Sequence, residues 1–186
     1  MDAKIKHITK NDPIIKKIID DVGDCKIGKK DQCLFTYLIG LIIGQKIRFS
    51  TAQTKRSILY EITNNYNFEP NDILGLSDND WNEINIEDMQ KNTILRISHL
   101  FKNNFKNITK NDILELNKIK GIGVWTIQTL LIEYGLDYNL FPKNDKHVNK
   151  QLKKYYNIDE CDIESFVEKF APYKSVVFWF LWKHDL

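Results

Sequence analysis

The residues best placed to do chemistry are two glycines and an acid that follows them. Gly121 and Gly123 flank one isoleucine, and Asp145 follows about twenty residues later in a lysine-rich stretch. Glycine permits a positive φ and leaves backbone N–H groups bare, so a Gly-Ile-Gly turn between helices can approach a phosphate closely. A carboxylate among lysines is expected where an acid is held next to a polyanion. The pair indicates contact with a phosphate-bearing partner, whereas a Gly-x-Gly turn by itself usually does no more than join two helices.

Positive charge is concentrated around these residues. The whole chain has a net charge of +2, but residues 118–154 hold seven lysines against three acidic residues. A local basic surface of this kind captures phosphates by counterion release even when the chain is nearly neutral. On charge alone, a solvated lysine face is the simpler interpretation.

Length and composition indicate a folded globular protein. The chain has 186 residues, 42% of them apolar and 12% aromatic, which suffices to bury a core and argues against disorder. Cys25, Cys33 and Cys161 are odd in number and widely spaced, as in reduced intracellular proteins rather than disulfide scaffolds. The polar N-terminus and the short apolar run at 38–43 predict neither a secretory signal nor a membrane span.

Helical periodicity dominates the chain, with no sustained alternation that would predict a sheet. Pro13 and Pro172 are expected to open helices, and Ser77, with an acid three residues later, is expected to cap one. We therefore predict an all-α protein with helices at 13–22, 31–44, 50–64, 77–83, 88–105, 111–117, 124–134, 146–155, 162–170 and 172–183.

Four segments, in the same order, resemble those of one protein family. Residues 38–45 (Leu-Ile-Gly-Leu-Ile-Ile-Gly-Gln) are similar to an apolar helix that ends in Gly-Gln, and residues 121–126 (Gly-Ile-Gly-Val-Trp-Thr) to a hairpin Gly-Ile-Gly-Pro-Trp-Thr. Residues 171–175 (Ala-Pro-Tyr-Lys-Ser) resemble Arg-Pro-Trp-Arg-Ser, and a tryptophan run follows at 179–182. With Asp145, these segments make the chain similar to the helix-hairpin-helix DNA glycosylase superfamily (HhH-GPD), and most similar to its 3-methyladenine DNA glycosylase II branch.

This resemblance implies an all-α fold of two helical lobes. Residues 34–140 would form a helical bundle that ends in the helix-hairpin-helix motif at about 111–134. Residues 1–33 and 141–186 would form the second lobe, with the catalytic cleft between the two. The N-terminal β domain that is common in this branch has no counterpart in the sequence, so the minimal form of the fold is expected.

The resemblance also implies a base-excision-repair enzyme that flips an alkylated purine, such as 3-methyladenine, out of duplex DNA and hydrolyses its N-glycosidic bond. Asp145 matches the catalytic aspartate, which stabilises the positive charge that develops on the sugar. Asp145 could instead cap the helix that begins at Lys146, and the two roles are compatible. Trp125 stands where bifunctional members carry a Schiff-base lysine, so a monofunctional glycosylase without AP lyase activity is expected.

The matched positions supply the other site residues. The resemblance places the base pocket at Trp125, Trp179 and Tyr37. Taken alone, Trp125 could equally be a packing residue, and a core role is the simpler interpretation for Trp179 and Tyr37. Gln45 and Lys46 follow the position from which the family inserts a wedge into the space of the flipped base, and Lys120 replaces the hairpin proline. The expected DNA contacts are Gln45, Lys46, Lys120, Gly121, Gly123, Val124 and Thr126.

The expected cofactor set is empty. No His/Cys arrangement has zinc spacing, and the chain ends at Leu186 without the four-cysteine iron–sulfur loop of many relatives. Backbone carbonyls of the hairpin could hold a monovalent cation. The expected partner is double-stranded DNA, and no membrane association is expected. The protein is expected to be a monomer and to lie inside the cell with the DNA, in the nucleus or the cytoplasm.

Two alternatives stay open at the level of the sequence. One is a non-catalytic helix-hairpin-helix DNA-binding protein, in which Asp145 is incidental. The other is a glycosylase of the same fold that acts on oxidised or mismatched bases.

Overall fold

The computed structural model describes residues 3–103 and 108–184, and within those ranges it is built from helices without any strand. The predicted all-α fold is confirmed. The helices are α1 (Ala3–Thr9), α2 (Pro13–Val22), α3 (Leu34–Ile43), α4 (Phe49–Thr63), α5 (Pro70–Leu74), α6 (Asp78–Ile84), α7 (Asp88–Phe101), α8 (Lys110–Glu115), α9 (Val124–Glu133), α10 (Lys146–Tyr156), α11 (Ile163–Val167) and α12 (Lys174–Lys183). Short 3₁₀ turns at Leu116–Lys118 and Glu168–Phe170 follow α8 and α11.

Two short helices, α1 and α5, were not predicted. They contain seven and five residues, too few to establish an apolar period. The helix predicted at 88–105 corresponds to α7, and its predicted end at Phe105 lies outside the described residues.

The expectation that Pro172 opens the last helix is wrong. α12 begins at Lys174, and the Ala171–Pro172 peptide bond is cis. The preceding 3₁₀ turn continues through this segment, because the N–H of Tyr173 donates to the carbonyl of Phe170 at 2.8 Å. Pro172 therefore belongs to a turn between helices rather than to a helical first turn.

The chain divides into two units, which we call the central unit (Asp31–Leu130) and the terminal unit (Met1–Lys30 with Leu131–Leu186). The boundaries expected at 33/34 and 140/141 lie three and ten residues further along the chain. The second boundary falls inside α9, whose last turn places Ile132 in the core of the terminal unit.

The terminal unit is organised around α12. This helix is buried from Ser175 to Leu181, as expected of a helix that is apolar on all sides. α12 packs against α2 and α10, and these two helices turn Ile15, Ile18 and Leu152 towards the same core.

A buried carboxylate joins three elements of the terminal unit. Asp12 caps α2 by accepting from the N–H of Ile15 at 3.0 Å, as predicted for the residue before Pro13. It also accepts from the hydroxyl of Tyr156 at 2.9 Å and pairs with Lys169 at 2.9 Å. Burial by itself would raise the pKa of Asp12, but these hydrogen bonds and the nearby ammonium outweigh it and leave the pKa lowered.

The central unit is organised around α3, which is buried from Phe35 to Ile43 except at the half-buried Tyr37 and packs against α4 and α7. Its peripheral helices begin with capping boxes, as predicted for α6, where Ser77 and Asp80 exchange hydrogen bonds. Thr109 and Asp112 form the same motif at α8, and the bonds from Thr109 lower the pKa of Asp112. These caps fix where α6 and α8 begin, and α8 is the helix that leads into the turn at Gly121–Gly123.

The three cysteines are free thiols, as the sequence indicated. Among the helices of the described ranges, none combines the length and apolar character that a membrane span requires.

Candidate functional site

The Gly-Ile-Gly segment forms a tight turn between α8 and α9. The 3₁₀ turn ends when the N–H of Ile119 donates to Leu116, and the N–H of Ile122 then donates to Ile119 at 3.0 Å. Gly121 has a φ of 100°, and α9 begins at Val124. The first N–H groups of α9 have no acceptor within the helix by geometry, so they are available to an external anion.

The two glycines of this turn are required for different reasons. A Cβ on Gly121 would collide with the hydroxyl of Thr93, besides being strained by the positive φ. A Cβ on Gly123 would meet no described heavy atom within 4 Å, and Gly123 is exposed. The packing of the central unit thus demands Gly121, whereas Gly123 leaves open space next to bare backbone.

Two side chains hold the hairpin from inside the central unit. The hydroxyl of Thr93 on α7 donates to the carbonyl of Lys120 at 3.0 Å. The side-chain amide of Gln45 donates to the carbonyl of Gly121 at 3.0 Å. Gln45, expected at the DNA surface, is therefore half-buried, and its amide group ties the turn after α3 to the hairpin.

The turn after α3 presents unexpected apolar side chains. Lys46 is exposed with a φ of 61°, a left-handed conformation that is costly outside glycine. Ile47 is 37% exposed and Phe49 is 50% exposed. Arg48, the N-cap of α4, makes no side-chain capping bond. Residues 46–49 thus alternate a cation with an exposed apolar side chain, and we call them the α3–α4 turn.

Sequence reasoning missed Ile47 and Phe49 as surface residues. The available signal was two large apolar residues in a segment otherwise made of lysine, arginine, serine and threonine. Exposure itself depends on packing, so the sequence alone could not separate these residues from core.

The hairpin and the α3–α4 turn are brought together in one surface recess. It is lined by residues of three segments: Gln45, Lys46, Glu87, Met89, Gln90, Thr93 and Gly121. Gln90, at the start of α7, fixes the end of α3 by donating to the carbonyl of Ile42 at 2.7 Å. Three of the expected DNA contacts, Gln45, Lys46 and Gly121, therefore share one local surface.

The remaining expected contacts near the hairpin differ in exposure. Lys120 and Val124 are exposed, but Thr126 is only 2% exposed. The side chain of Thr126 therefore packs inside the central unit, and only its backbone N–H, in the first turn of α9, can serve an outside partner. Lys118 forms an ion pair with Glu115.

Asp145 is the N-cap of α10 in the terminal unit. One carboxylate oxygen accepts from the N–H of Val148 at 2.9 Å, and Asp145 is 7% exposed. The cap role that the sequence offered for Asp145 is therefore confirmed. Because the buried Val148 and Leu152 anchor α10 in the core, the helix holds this carboxylate in one fixed direction.

His147, near Asp145, is committed to another contact. Its Nε2 lies 3.1 Å from the carbonyl of His184, so Nε2 carries a proton and donates it. The side-chain amide of Gln151 donates to the same carbonyl at 3.0 Å. His147 therefore helps to fasten the end of α12.

The expected pocket aromatics lie in both units. Tyr37 on α3 and Trp125 on α9 are half-buried in the central unit. Trp179 on α12 is 4% exposed in the core of the terminal unit, and its indole N–H has no hydrogen-bond partner among the described residues. One helical turn later, Trp182 is half-buried and stacks on Phe178 with ring centroids 6.3 Å apart. By exposure, Trp182 is the more accessible of the two tryptophans.

The comparisons with known proteins settle the architecture. No family model matches the chain. The 3-methyladenine DNA glycosylase of Schizosaccharomyces pombe, solved in complex with abasic DNA, superposes with a TM-score of 0.79 at 19% identity, covering 97% of this chain and 95% of that one. The DNA-3-methyladenine glycosidase of Bacillus halodurans gives a TM-score of 0.72 at 18% identity, covering 98% and 88%. The chain has the helix-hairpin-helix DNA glycosylase fold.

Sequence similarity points to the same proteins over a shorter stretch. DNA-3-methyladenine glycosylase 1 of Schizosaccharomyces pombe is 26% identical over 87 residues, which is 44% of this chain and 38% of that protein. The chain spans less than half the length of the curated relatives it matches. In this chain, the Gly121–Gly123 turn lies between α8 and α9, and Asp145 caps α10, the helix after α9.

Proposed function

We propose that the chain is a monofunctional DNA glycosylase of base-excision repair, which hydrolyses the N-glycosidic bond of alkylated purines such as 3-methyladenine in duplex DNA. The observation that carries the proposal is Asp145, a carboxylate held by the N–H of Val148 at the start of α10 in a chain of this fold. The proposed partner is double-stranded DNA, and the proposed setting is a monomer inside the cell.

Asp145 supplies the electrostatic part of the mechanism. Breaking the bond between base and sugar builds positive charge on the sugar, and a fixed carboxylate beside that charge lowers the barrier. The hydrogen bond from Val148 and the attachment to α10 orient Asp145 before the substrate arrives, so little reorganisation is needed. The same carboxylate can orient the attacking water.

Departure of the base requires no protonating residue in this proposal. An alkylated purine such as 3-methyladenine is already cationic, so it leaves as a neutral base. His147, the histidine nearest to Asp145 in sequence, already donates to the carbonyl of His184. The proposal therefore assigns His147 a structural role.

The central unit would grip the DNA backbone. The exposed N–H groups of Gly123 and Val124 would bind one phosphate, with Lys120 and Lys46 adding charge. Ile47 is the apolar side chain of the α3–α4 turn that could enter the base stack and fill the space of the flipped nucleotide. We propose it as the wedge in place of Gln45, whose amide is bonded to the hairpin.

No cofactor enters the proposed reaction. Trp125 occupies the position of the Schiff-base lysine, and an indole cannot form an imine, so water is the nucleophile. A monovalent cation at the hairpin has no part in the proposed reaction, and the carbonyls of Lys120 and Gly121 each accept one hydrogen bond, from Thr93 and Gln45 respectively.

The decisive experiment is base release by the Asp145→Asn variant. Asparagine caps helices as well as aspartate does, so the variant should keep the wild-type melting temperature and duplex affinity. Loss of the charge should slow single-turnover release of 3-methyladenine by ~10³-fold or more. Asp20→Asn, the same change at an exposed position of α2, is the matched control and should release base at the wild-type rate.

Two outcomes would contradict the proposal. Near-wild-type release by Asp145→Asn would remove Asp145 from the chemistry. Duplex binding by the wild-type protein without release of any base from a panel of single-lesion duplexes would instead indicate a non-catalytic DNA-binding protein.

A further inference from the structure

Arg56 on α4 lies along the surface of α3 in a notch made by two glycines. Its Nε donates to the carbonyl of Gly40 at 2.9 Å. A Cβ on Gly40 would lie 3.3 Å from that Nε, and a Cβ on Gly44 would lie 2.7 Å from Nη2. Any larger residue at Gly44 would therefore displace the guanidinium group.

The notch gives the guanidinium a direction. Nε lies beside Gly40 and Nη2 beside Gly44, one helical turn further along α3. The group thus points towards the C-terminal end of α3, where Gln45 begins the link to the hairpin through the carbonyl of Gly121. Arg56 is aimed at the local surface that carries the α3–α4 turn.

The outer end of this guanidinium is open. Neither Nη atom of Arg56 has a hydrogen-bond partner among the residues that the structure describes, and solvent reaches both. No acidic residue in the described part of the chain forms an ion pair with Arg56. The two Nη groups therefore carry N–H donors that no described residue accepts, on a stem held by the bond from Nε to Gly40.

Holding Arg56 in this way has an energetic cost. Burial lowers the pKa of Arg56, an effect that the nearby Tyr60 and Tyr37 partly oppose. Arginine nevertheless remains cationic in proteins. A charge that is partly removed from water without an internal counterion is stabilised when an external anion supplies one, and a guanidinium fork matches the geometry of a phosphate.

We propose that Arg56 is a phosphate-binding residue, which uses its two open Nη groups to hold a backbone phosphate of duplex DNA beside the α3–α4 turn. This inference rests on the proposed function, because it takes DNA as the partner. It adds an anchor on α4 that is separate from the hairpin amides. Gly40 and Gly44 act as positioning residues, since they allow the guanidinium to reach that place.

The first test is the salt dependence of binding to a duplex that carries a tetrahydrofuran abasic analogue, followed by fluorescence anisotropy. Loss of one phosphate contact in Arg56→Ala should lower the slope of log K against log salt by about 0.9 and weaken binding about tenfold. Lys102→Ala is the matched control, since it removes one exposed charge beyond the far end of α7, about 18 Å from Gln90 along the helix. This control should keep the wild-type slope.

The second test is a double-mutant cycle with Gly44→Ala, which displaces the guanidinium without removing its charge. Gly44 has a φ of −78°, so alanine fits the backbone, and Gly44→Ala alone should weaken binding by a similar factor. In the Arg56→Ala background the notch is empty, so the same change should have no further effect on affinity. Melting curves of all four proteins show whether a change in binding reflects unfolding.

The outcomes separate this inference from the proposed function. If Arg56→Ala matches Lys102→Ala in slope and affinity while the wild-type protein binds DNA, Arg56 does not hold a phosphate and the glycosylase proposal stands. An equal effect of Gly44→Ala with and without Arg56 would also overturn the inference. Absence of duplex binding by the wild-type protein at 50 mM salt would overturn both proposals.

Discussion

Gly121 and Gly123 belong to one turn but answer to different constraints. Gly121 combines a φ of 100° with close approach of Thr93, so the fold itself excludes a side chain there. Gly123 has neither constraint. Its lack of a side chain instead leaves the neighbouring backbone N–H groups accessible to an external phosphate. Separate substitutions of Gly121 and Gly123 can therefore distinguish an effect on folding from an effect on DNA binding.

Replacing each glycine by alanine should give opposite phenotypes. Gly121→Ala should lower the free energy of unfolding by ~2 kcal/mol or more, because the left-handed backbone and the contact with Thr93 are both violated. Gly123→Ala should change stability by less than ~1 kcal/mol but weaken binding to every duplex about tenfold, since its methyl group keeps a phosphate from the backbone N–H groups. Urea unfolding and anisotropy on undamaged and abasic duplexes measure the two effects. Normal duplex affinity of a folded Gly123→Ala variant would remove the phosphate role of the hairpin.

In the proposed reaction, Trp125 stands where a lysine would form an imine, so water is the nucleophile. Borohydride added during turnover should trap no covalent protein–DNA adduct, and the abasic product should remain uncut until it is treated with hot alkali. Gel electrophoresis of the denatured reaction distinguishes both species. Efficient trapping would mean that another lysine near the site, such as Lys120 or Lys146, forms an imine, and the water mechanism would then be wrong.

At the scale of elements, charged side chains connect helices that are distant from one another in the sequence. Asp12 joins the start of α2 to Tyr156 at the end of α10 and to Lys169 in the 3₁₀ turn after α11. The ammonium of Lys169 also lies 4.0 Å from the centroid of the Phe166 ring. This cluster fixes α10, and with it the helix start that carries Asp145.

The lowered pKa of Asp12 predicts a stability that depends on pH. A carboxyl group whose pKa is lower in the folded chain than its ordinary value of 3.8 stabilises the fold above that value and loses this contribution as the pH falls through the folded pKa. Wild type should therefore exceed Asp12→Asn in stability by ~1–3 kcal/mol at pH 7, because asparagine keeps the cap but not the charge. The difference should shrink below about pH 4 in urea titrations. A difference that is constant from pH 7 to pH 3 would exclude the charge of Asp12 as its cause.

The sequence predicted the elements where local signals decide the structure and missed those that depend on packing. Asp12 and Ser77 cap helices where their types indicated, because capping involves residues only three positions apart. Pro172 carried a similar local signal but lies in a turn, since the contacts of the preceding 3₁₀ turn extend past it. The partner of Gln45 and the exposure of Ile47 depend on residues distant in sequence, so no local pattern could reveal them.

At the scale of the whole molecule, the net charge of +2 is too small to hold DNA by general attraction. Under the proposed function, affinity for DNA therefore comes from a few well-placed groups, such as the hairpin amides and the cations of the α3–α4 turn. Binding by a few contacts on the backbone carries little information about the base. Discrimination between lesions therefore falls to the pocket and to the chemistry of the lesion itself.

The proposed glycosylase should prefer cationic alkylated purines to 8-oxoguanine or mispaired thymine. Alkylation at N3 or N7 weakens the glycosidic bond. The activation barrier that Asp145 must lower is therefore smaller for an alkylated base than for a neutral base. An electron-rich ring such as that of the half-buried Trp125 attracts a cationic base by ~0.5 to 2 kcal/mol, which adds only a modest preference. Single-turnover release should therefore be fastest from duplexes with 3-methyladenine or 7-methylguanine and slower from those with hypoxanthine, 8-oxoguanine or a thymine mismatch. Faster release of 8-oxoguanine than of 3-methyladenine would reassign the enzyme to oxidised bases, while leaving the roles of Asp145 and the hairpin in place.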